Sequence, residues 1–172
     1  MSEEYVDVVN EKDEVIGREL KSLKPQKKFI SRIVAVFIRN SKGQFIICKR
    51  GAHKKNDPNL YDLTALGNVF AGESYEDAAL RELGEEVSIS CELKRLDKFY
   101  QEIENNSNVL KIFCCVFLGI SDSEPNLNHE LSEYKLMSFE ELKQELINNP
   151  QNYCKGLAND FNQVKDKLKQ EI

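Results

Sequence analysis

The sequence predicts an α/β (α+β) domain: a mixed β-sheet with helices on its faces and a β-hairpin ahead of it. Three observations lead there. Ile33-Val34-Ala35-Val36-Phe37-Ile38 is apolar on both faces, as a central strand is. Residues 67 to 89 read as a bent loop feeding an amphipathic helix. Near the C-terminus, Leu157, Phe161, Val164 and Leu168 recur at i, i+4, i+7 and i+11, the spacing of a helix with one buried face.

The chain opens with a hairpin. Tyr5-Val6-Asp7-Val8-Val9 and Glu14-Val15-Ile16-Gly17-Arg18 flank the turn residues Asn10 to Asp13. Residues 21 to 28 are polar and basic and read as a connector. Phe29 to Arg39 is the strongest strand. Asn40-Ser41-Lys42-Gly43 is a turn, and Gln44 to Lys49 returns as the second arm of a hairpin. A polar loop, residues 51 to 59, precedes a short strand around Leu60 to Thr64. After the helix of the 67 to 89 stretch, Cys91 to Glu102 and Val109 to Ile120 form a long hairpin around Asn105-Asn106-Ser107. Tyr134 to Met137 is a short strand. Ser138-Phe139-Glu140-Glu141 is a capping box that starts a helix ending near Asn148-Asn149-Pro150.

With 172 residues the chain is read as one domain, residues 1–28 forming an N-terminal hairpin extension and 29–172 the core. Apolar residues make up 41% and charged residues 31%, the balance of an ordinary globular protein. A net charge of -5 argues against a nucleic-acid polymer as partner, while a small polyphosphate needs only local positive charge. No apolar run reaches membrane-spanning length, and Met-Ser-Glu-Glu lacks the basic and apolar regions of a signal peptide, so no membrane partner and a cytoplasmic location are expected. The five cysteines include no Cys-x-x-Cys pair, and Cys48, Cys114 and Cys115 lie in apolar runs, where the thiol is a small hydrophobe. With only His53 and His129 available, a zinc site is not expected.

The chemistry is expected between Gly67 and Ile89. Gly67 and Gly72 permit a tightly bent loop, Ser74 is a good N-cap, and Asp77 stands where a capping box has Glu. Ala78, Ala79, Leu80 and Leu83 form an apolar stripe. Glu82, Glu85 and Glu86 share one face at i, i+3 and i+4, close to the helix C-terminus, where the macrodipole disfavours negative charge. Three acids placed against both rules suggest a bound cation, and oxygen ligands suggest Mg²⁺ or Mn²⁺. A solvated acidic face is the competing explanation.

The whole string decides between them. Gly67, five residues, Glu73, seven residues, then Arg81-Glu82-Leu83-x-Glu85-Glu86-x-Ser88-Ile89 resembles the Nudix box, a motif that fixes about nine of more than twenty positions. Ser88 departs from it, since Gly usually ends this helix in the left-handed region, where Ser costs about 1 kcal/mol. The element order likewise resembles the Nudix αβα sandwich. The resemblance implies a hydrolase acting on a diphosphate linkage in a nucleoside diphosphate derivative or related small molecule. It implies that Glu82, Glu85 and Glu86 ligate the metal, with a backbone carbonyl near Leu66 or Gly67, and that Glu73 and Arg81 pair to brace the loop against the helix. The general base is left open between the box acids Glu85 and Glu86 and the later acids Glu130 and Glu133. Arg50, Lys54 and Lys55 are candidates to meet substrate phosphates.

The N-terminal hairpin and the central strand also resemble the Nudix branch that includes type I isopentenyl diphosphate isomerase. That enzyme needs a Cys just before the box, and Tyr61-Asp62-Leu63-Thr64-Ala65-Leu66 has none. Hydrolase therefore ranks first, isomerase second and a non-catalytic ligand-sensing domain third. The leaving group and the oligomeric state, a homodimer included, stay open.

Overall fold

The structure is a computed structural model and describes residues 3–105 and 108–171. Its centre is β3 (Ile30–Arg39), whose ten residues run parallel to β8 (Asn108–Ile120) from Ile30 beside Lys111 to Arg39 beside Ile120. On its other edge β3 pairs antiparallel with β6 (Ala65–Asn68), and at Ile30 with Val9 of β1 (Tyr5–Val9). β2 (Val15–Leu20) continues outward from β1, and β7 (Leu93–Asn105) from β8. The expected turn at Asn105-Asn106-Ser107 lies partly outside the described residues.

Because side chains alternate across a strand, β3 divides the core between two faces. Val34, Val36 and Ile38 meet Ala78, Ala79, Leu83 and Val87 of α2 (Tyr75–Val87). Ala35 and Phe37 point the other way, toward Leu142 of α3 (Phe139–Asn148) and Leu157, Phe161, Val164 and Leu168 of α4 (Lys155–Gln170). The result is the expected mixed α/β sandwich, and each fully buried Leu, Val or Phe adds about 1.5–3 kcal/mol of apolar burial.

Several local expectations need correction. β3 and β4 (Gln44–Arg50) do not form a continuous hairpin; they pair only at Arg39 and Phe45. β4 instead pairs along its length with β9 (Leu131–Ser138), which is longer than expected, and at Cys48 and Lys49 with β5 (Tyr61–Asp62). Thr64 spans the gap. Its buried hydroxyl accepts from Ile38 N–H at 3.0 Å and donates to Ile46 C=O at 2.7 Å, satisfying backbone groups that the splay would orphan. Residues 21 to 28 are not a plain connector. A 3-10 turn, Lys21–Leu23, leads into the short helix α1 (Lys24–Lys27), with Pro25 in its first turn. Leu80 is 47% exposed; the buried face of α2 uses Tyr75 and Val87 instead.

The hairpin extension is docked on the core. The Asp13 carboxylate, on a side chain only 5% exposed, receives Arg32 Nε at 2.6 Å, Tyr75 Oη at 3.1 Å and the Lys98 ammonium, joining three other elements to the hairpin turn. β1 also holds the loop before α2. Ala71 N–H donates to Tyr5 C=O at 2.9 Å and Gly72 N–H to Asp7 Oδ2 at 3.1 Å.

Candidate active site

α2 carries the acids. Ser74 caps it, its Oγ accepting from Asp77 N–H at 3.0 Å. At the other end Ser88 takes the left-handed conformation, φ 55°, where Gly would be free of strain. The last-turn carbonyls of Glu86 and Val87 accept from Asn128 and Asn126 N–H, both at 2.9 Å, so the loop before β9 is tied to the acidic end of the helix.

Arg81 organises the loop and the acids together. Its guanidinium holds Glu73 through two bonds, Nε to Oε1 at 2.8 Å and Nη2 to Oε2 at 3.0 Å, a bidentate fork. Glu73 in turn accepts from Phe70 N–H at 2.9 Å. Arg81 also reaches Glu82 Oε1 at 2.7 Å, Glu85 Oε2 at 3.5 Å and Asn68 C=O at 2.9 Å, and lies 4.1 Å over the Phe70 ring. Glu86 turns the other way and accepts from Leu66 N–H at 3.1 Å. Burial raises Glu86 to about 8; the Leu66 bond opposes this, and the negative charges of Glu82, Asp62 and Glu130 add to it. Burial also raises Glu82, against the pull of Arg81.

These groups border a cleft of about 870 Å³. Glu82, Glu85 and Glu86 lie along it, and the end of β4 and the loop to β5 bring Arg50, Lys54 and Lys55 to it. Arg50 is held by Asn56 C=O at 3.2 Å and the buried Asp62 at 3.5 Å. Glu130 lies on the rim, ion-paired with Lys54. Glu133 is placed elsewhere. It is half-exposed on β9, accepts from Tyr61 Oη at 2.6 Å and Lys49 Nζ at 3.1 Å, and does not line the cleft.

The donor set suits a hard divalent cation: three carboxylates along a cleft that Leu66 and Gly67 also line. Gly67 leaves the room they need, since a side-chain carbon there would lie 1.9 Å from the Glu82 carboxyl group. As the side chains stand, no three His, Cys, Asp or Glu groups among the described residues converge on one point. Arg81 draws Glu82 and Glu85 to itself while Leu66 holds Glu86, so an ion would compete with Arg81 for the first two.

Sequence reasoning missed other groups of the cleft. Lys24 is buried, with Nζ 2.7 Å from Asn68 Oδ1, and burial, with Lys21 nearby, lowers its ammonium to about 8. Cys154 comes from the start of α4 to the cleft, and burial beside Asp62 raises its thiol well above the usual range. Nothing in the basic run 21 to 28 signals a buried lysine, and Cys154 is distant in sequence from the box.

The NUDIX domain family model matches residues 30–155. The chain belongs to the Nudix family. It is 34% identical over 86% of its length, and 84% of the relative's, to a Photorhabdus laumondii protein named isopentenyl-diphosphate Delta-isomerase 2. It is 36% identical over 74% of both chains to a Deinococcus radiodurans Nudix hydrolase. A crystal structure of a Deinococcus radiodurans protein superposes with a TM-score of 0.80, covering 94% of this chain and 99% of that one at 30% identity. The match to the MutT protein of Methanosarcina mazei, TM-score 0.65 at 24% identity, shows the Nudix fold alone. Nudix hydrolases use divalent metal ions and act on small molecules. No helix among the described residues is long and apolar enough to cross a membrane.

Proposed function

We propose that this Nudix protein is a Mg²⁺- or Mn²⁺-dependent pyrophosphohydrolase that cleaves a diphosphate linkage in a nucleoside diphosphate derivative or related small molecule. The observation that carries this is the nearly intact box, with Glu82, Glu85 and Glu86 on one face of α2 along a cleft whose other wall presents Arg50, Lys54 and Lys55. Glu82, Glu85 and Glu86 would hold the ion. When bound, it neutralises charge building on phosphoryl oxygens and lowers the pKa of water. Arg50 and Lys54 orient the phosphates, and the Arg81–Glu73 pair fixes the loop that positions Gly67. Glu86, in the cleft and held by Leu66 N–H at 3.1 Å, is one candidate general base; Glu130, on the rim and paired with Lys54, is the other. Glu133, held by Tyr61 and Lys49 outside the cleft, is not proposed for that role.

A panel of diphosphate substrates with Mg²⁺, read by released phosphate or nucleotide, tests this. Glu86→Gln keeps the shape and removes a charge, and kcat is expected to fall by about two orders of magnitude or more. Full activity in Glu86→Gln, or after metal chelation, refutes the proposal.

An isomerase is the second possibility, favoured by the name of the Photorhabdus laumondii relative and by the Cys154 thiol at the cleft. Residues 61 to 66 carry no thiol, and burial leaves Cys154 a poor source of thiolate. Isopentenyl diphosphate is therefore expected not to exchange deuterium from solvent into an allylic product; robust exchange by NMR reverses the ranking.

A further inference from the structure

The family match begins at residue 30, yet the cleft does not. Its near wall includes Lys21, Lys24 and Pro25 from the extension. Lys24 stands out chemically. A buried ammonium is normally paired with a carboxylate, because its desolvation is costly. Lys24 is only 9% exposed, and among the described residues its ammonium makes no ion pair and has one hydrogen-bond partner, the neutral Asn68 Oδ1 at 2.7 Å. Lys21 differs, being paired with Glu4.

Asn68 places Lys24 beside the acids. It follows Gly67, the residue packed against Glu82, and its own carbonyl accepts from Arg81 at 2.9 Å. The Lys24 ammonium thus lies next to the box on the extension side of the cleft, while Arg50 stands at the end of β4 and Lys54 on the loop that follows. The extension is held on the core independently of any ligand, through Asp13 and through β1, and within it Lys21 N–H to Glu4 C=O at 2.9 Å ties the segment that carries Lys24 to the start of β1.

We propose that Lys24 is a phosphate-binding residue of the cleft, its ammonium taking an oxygen of the substrate's diphosphate, so that the N-terminal extension completes the site. The ligand is an anion, since only an anion supplies the counter-charge that this lysine lacks. This rests on the cleft being a diphosphate site, as proposed above, but its test requires no turnover.

The test is calorimetric titration at pH 7, with millimolar Mg²⁺, of methylenediphosphonate, whose P–C–P bridge resists hydrolysis. Wild type is compared with Lys24→Met, Lys24→Gln and, as an exposed control, Lys28→Gln. Met fills the space without charge, and removing an unpaired buried ammonium leaves the fold at least as stable, which thermal melts check. Gln retains an N–H for Asn68, so it preserves a purely structural role. Both Lys24 variants are expected to lose tenfold or more in affinity, with Lys28→Gln unchanged. Affinity within twofold of wild type in either Lys24 variant overturns the proposal, as does failure of the wild type to bind the diphosphonate. Loss of hydrolysis in the substrate panel with Lys24-dependent binding intact refutes the hydrolase proposal alone.

Discussion

Gly67 and Glu82 stand so close that a side-chain carbon on residue 67 would lie 1.9 Å from both the carboxyl carbon and Oε1 of Glu82. The clash falls on the far end of a flexible side chain rather than on backbone. Gly67→Ala therefore moves the Glu82 carboxylate and leaves the strand in place. The expected outcome is a Tm within a few degrees of wild type, with diphosphate hydrolysis reduced by about two orders of magnitude, the scale of a displaced metal ligand. Thermal melts and kinetics on the same preparation check it. A fully active Gly67→Ala would mean that Glu82 does not act from this position.

Much of this site is legible in sequence because it is local. Ser74, the acids and Arg81 lie within one turn or a few turns of each other, and helical spacing alone puts Glu82, Glu85 and Glu86 on one side. The same locality explains the full capping box at Ser138, where Glu141 Oε2 reaches back to Ser138 N–H at 2.7 Å. Leu80 was misplaced by grouping adjacent apolar residues. At 100° per residue it lies at the edge of the buried face, only about 20° from the buried Val87, so which of the two is covered is set by what packs there and not by helical spacing. The β3–β4 splay is illegible because the apolar runs 33–38 and 45–48 look the same whether they pair with each other or with β8 and β9. Lys24, Asp62 and Cys154 reach the cleft only through long-range packing, which no local pattern encodes.

Thr64 bridges that splay, and the consequence is measurable. Thr64→Val keeps the shape but orphans a buried Ile38 N–H and Ile46 C=O, now at 3.0 and 2.7 Å from the hydroxyl. Each buried unsatisfied group costs about 1–3 kcal/mol, so a loss of roughly 2–4 kcal/mol is expected in denaturant unfolding. A loss below about 0.5 kcal/mol would show that β3 and β4 close on each other and satisfy these groups without Thr64.

Asp160 makes stability depend on pH. It is buried on α4, with Gln101 Nε2 donating to Oδ1 at 2.9 Å and Oδ2 without a partner among the described residues. Burial raises it to about 7; the Gln101 hydrogen bond and the nearby Cys114 thiol oppose this and the Asp62 charge adds to it. The folded state then holds a proton that the unfolded chain releases near pH 4, so this group's contribution to stability falls as pH rises from about 4 to 7. Asp160→Asn cannot ionise and keeps an acceptor for Gln101. It is expected to match wild type below pH 4 and to exceed it by roughly 2–4 kcal/mol at pH 8. Urea unfolding at both pH values checks the sign; a gap independent of pH rules out the titration.

The metal site can be separated from a solvated acidic face without knowing the substrate. Glu82, Glu85 and Glu86 gather at the negative end of α2, and in the absence of an ion Arg81 compensates only the first two. A divalent ion that binds this folded cluster, and not the dispersed unfolded chain, stabilises the fold by mass action. At ten times its Kd the gain is about 1.4 kcal/mol, a Tm rise of about 3–6 °C for a chain of this size. Screening of surface charge gives less and cannot distinguish Mg²⁺ from NaCl at equal ionic strength. Thermal melts in Mg²⁺ or Mn²⁺ are compared with ionic-strength-matched NaCl, in wild type and in Glu85→Gln/Glu86→Gln. The divalent-specific rise is expected in wild type and lost in the double variant. Because Arg81 must release Glu82 and Glu85 to the ion, Arg81→Lys, which has no fork, should bind the ion more readily while losing its grip on Glu73. Its Tm is expected to be lower than wild type without metal and to rise further with it. Equal shifts in all three proteins would assign these glutamates to a solvated face.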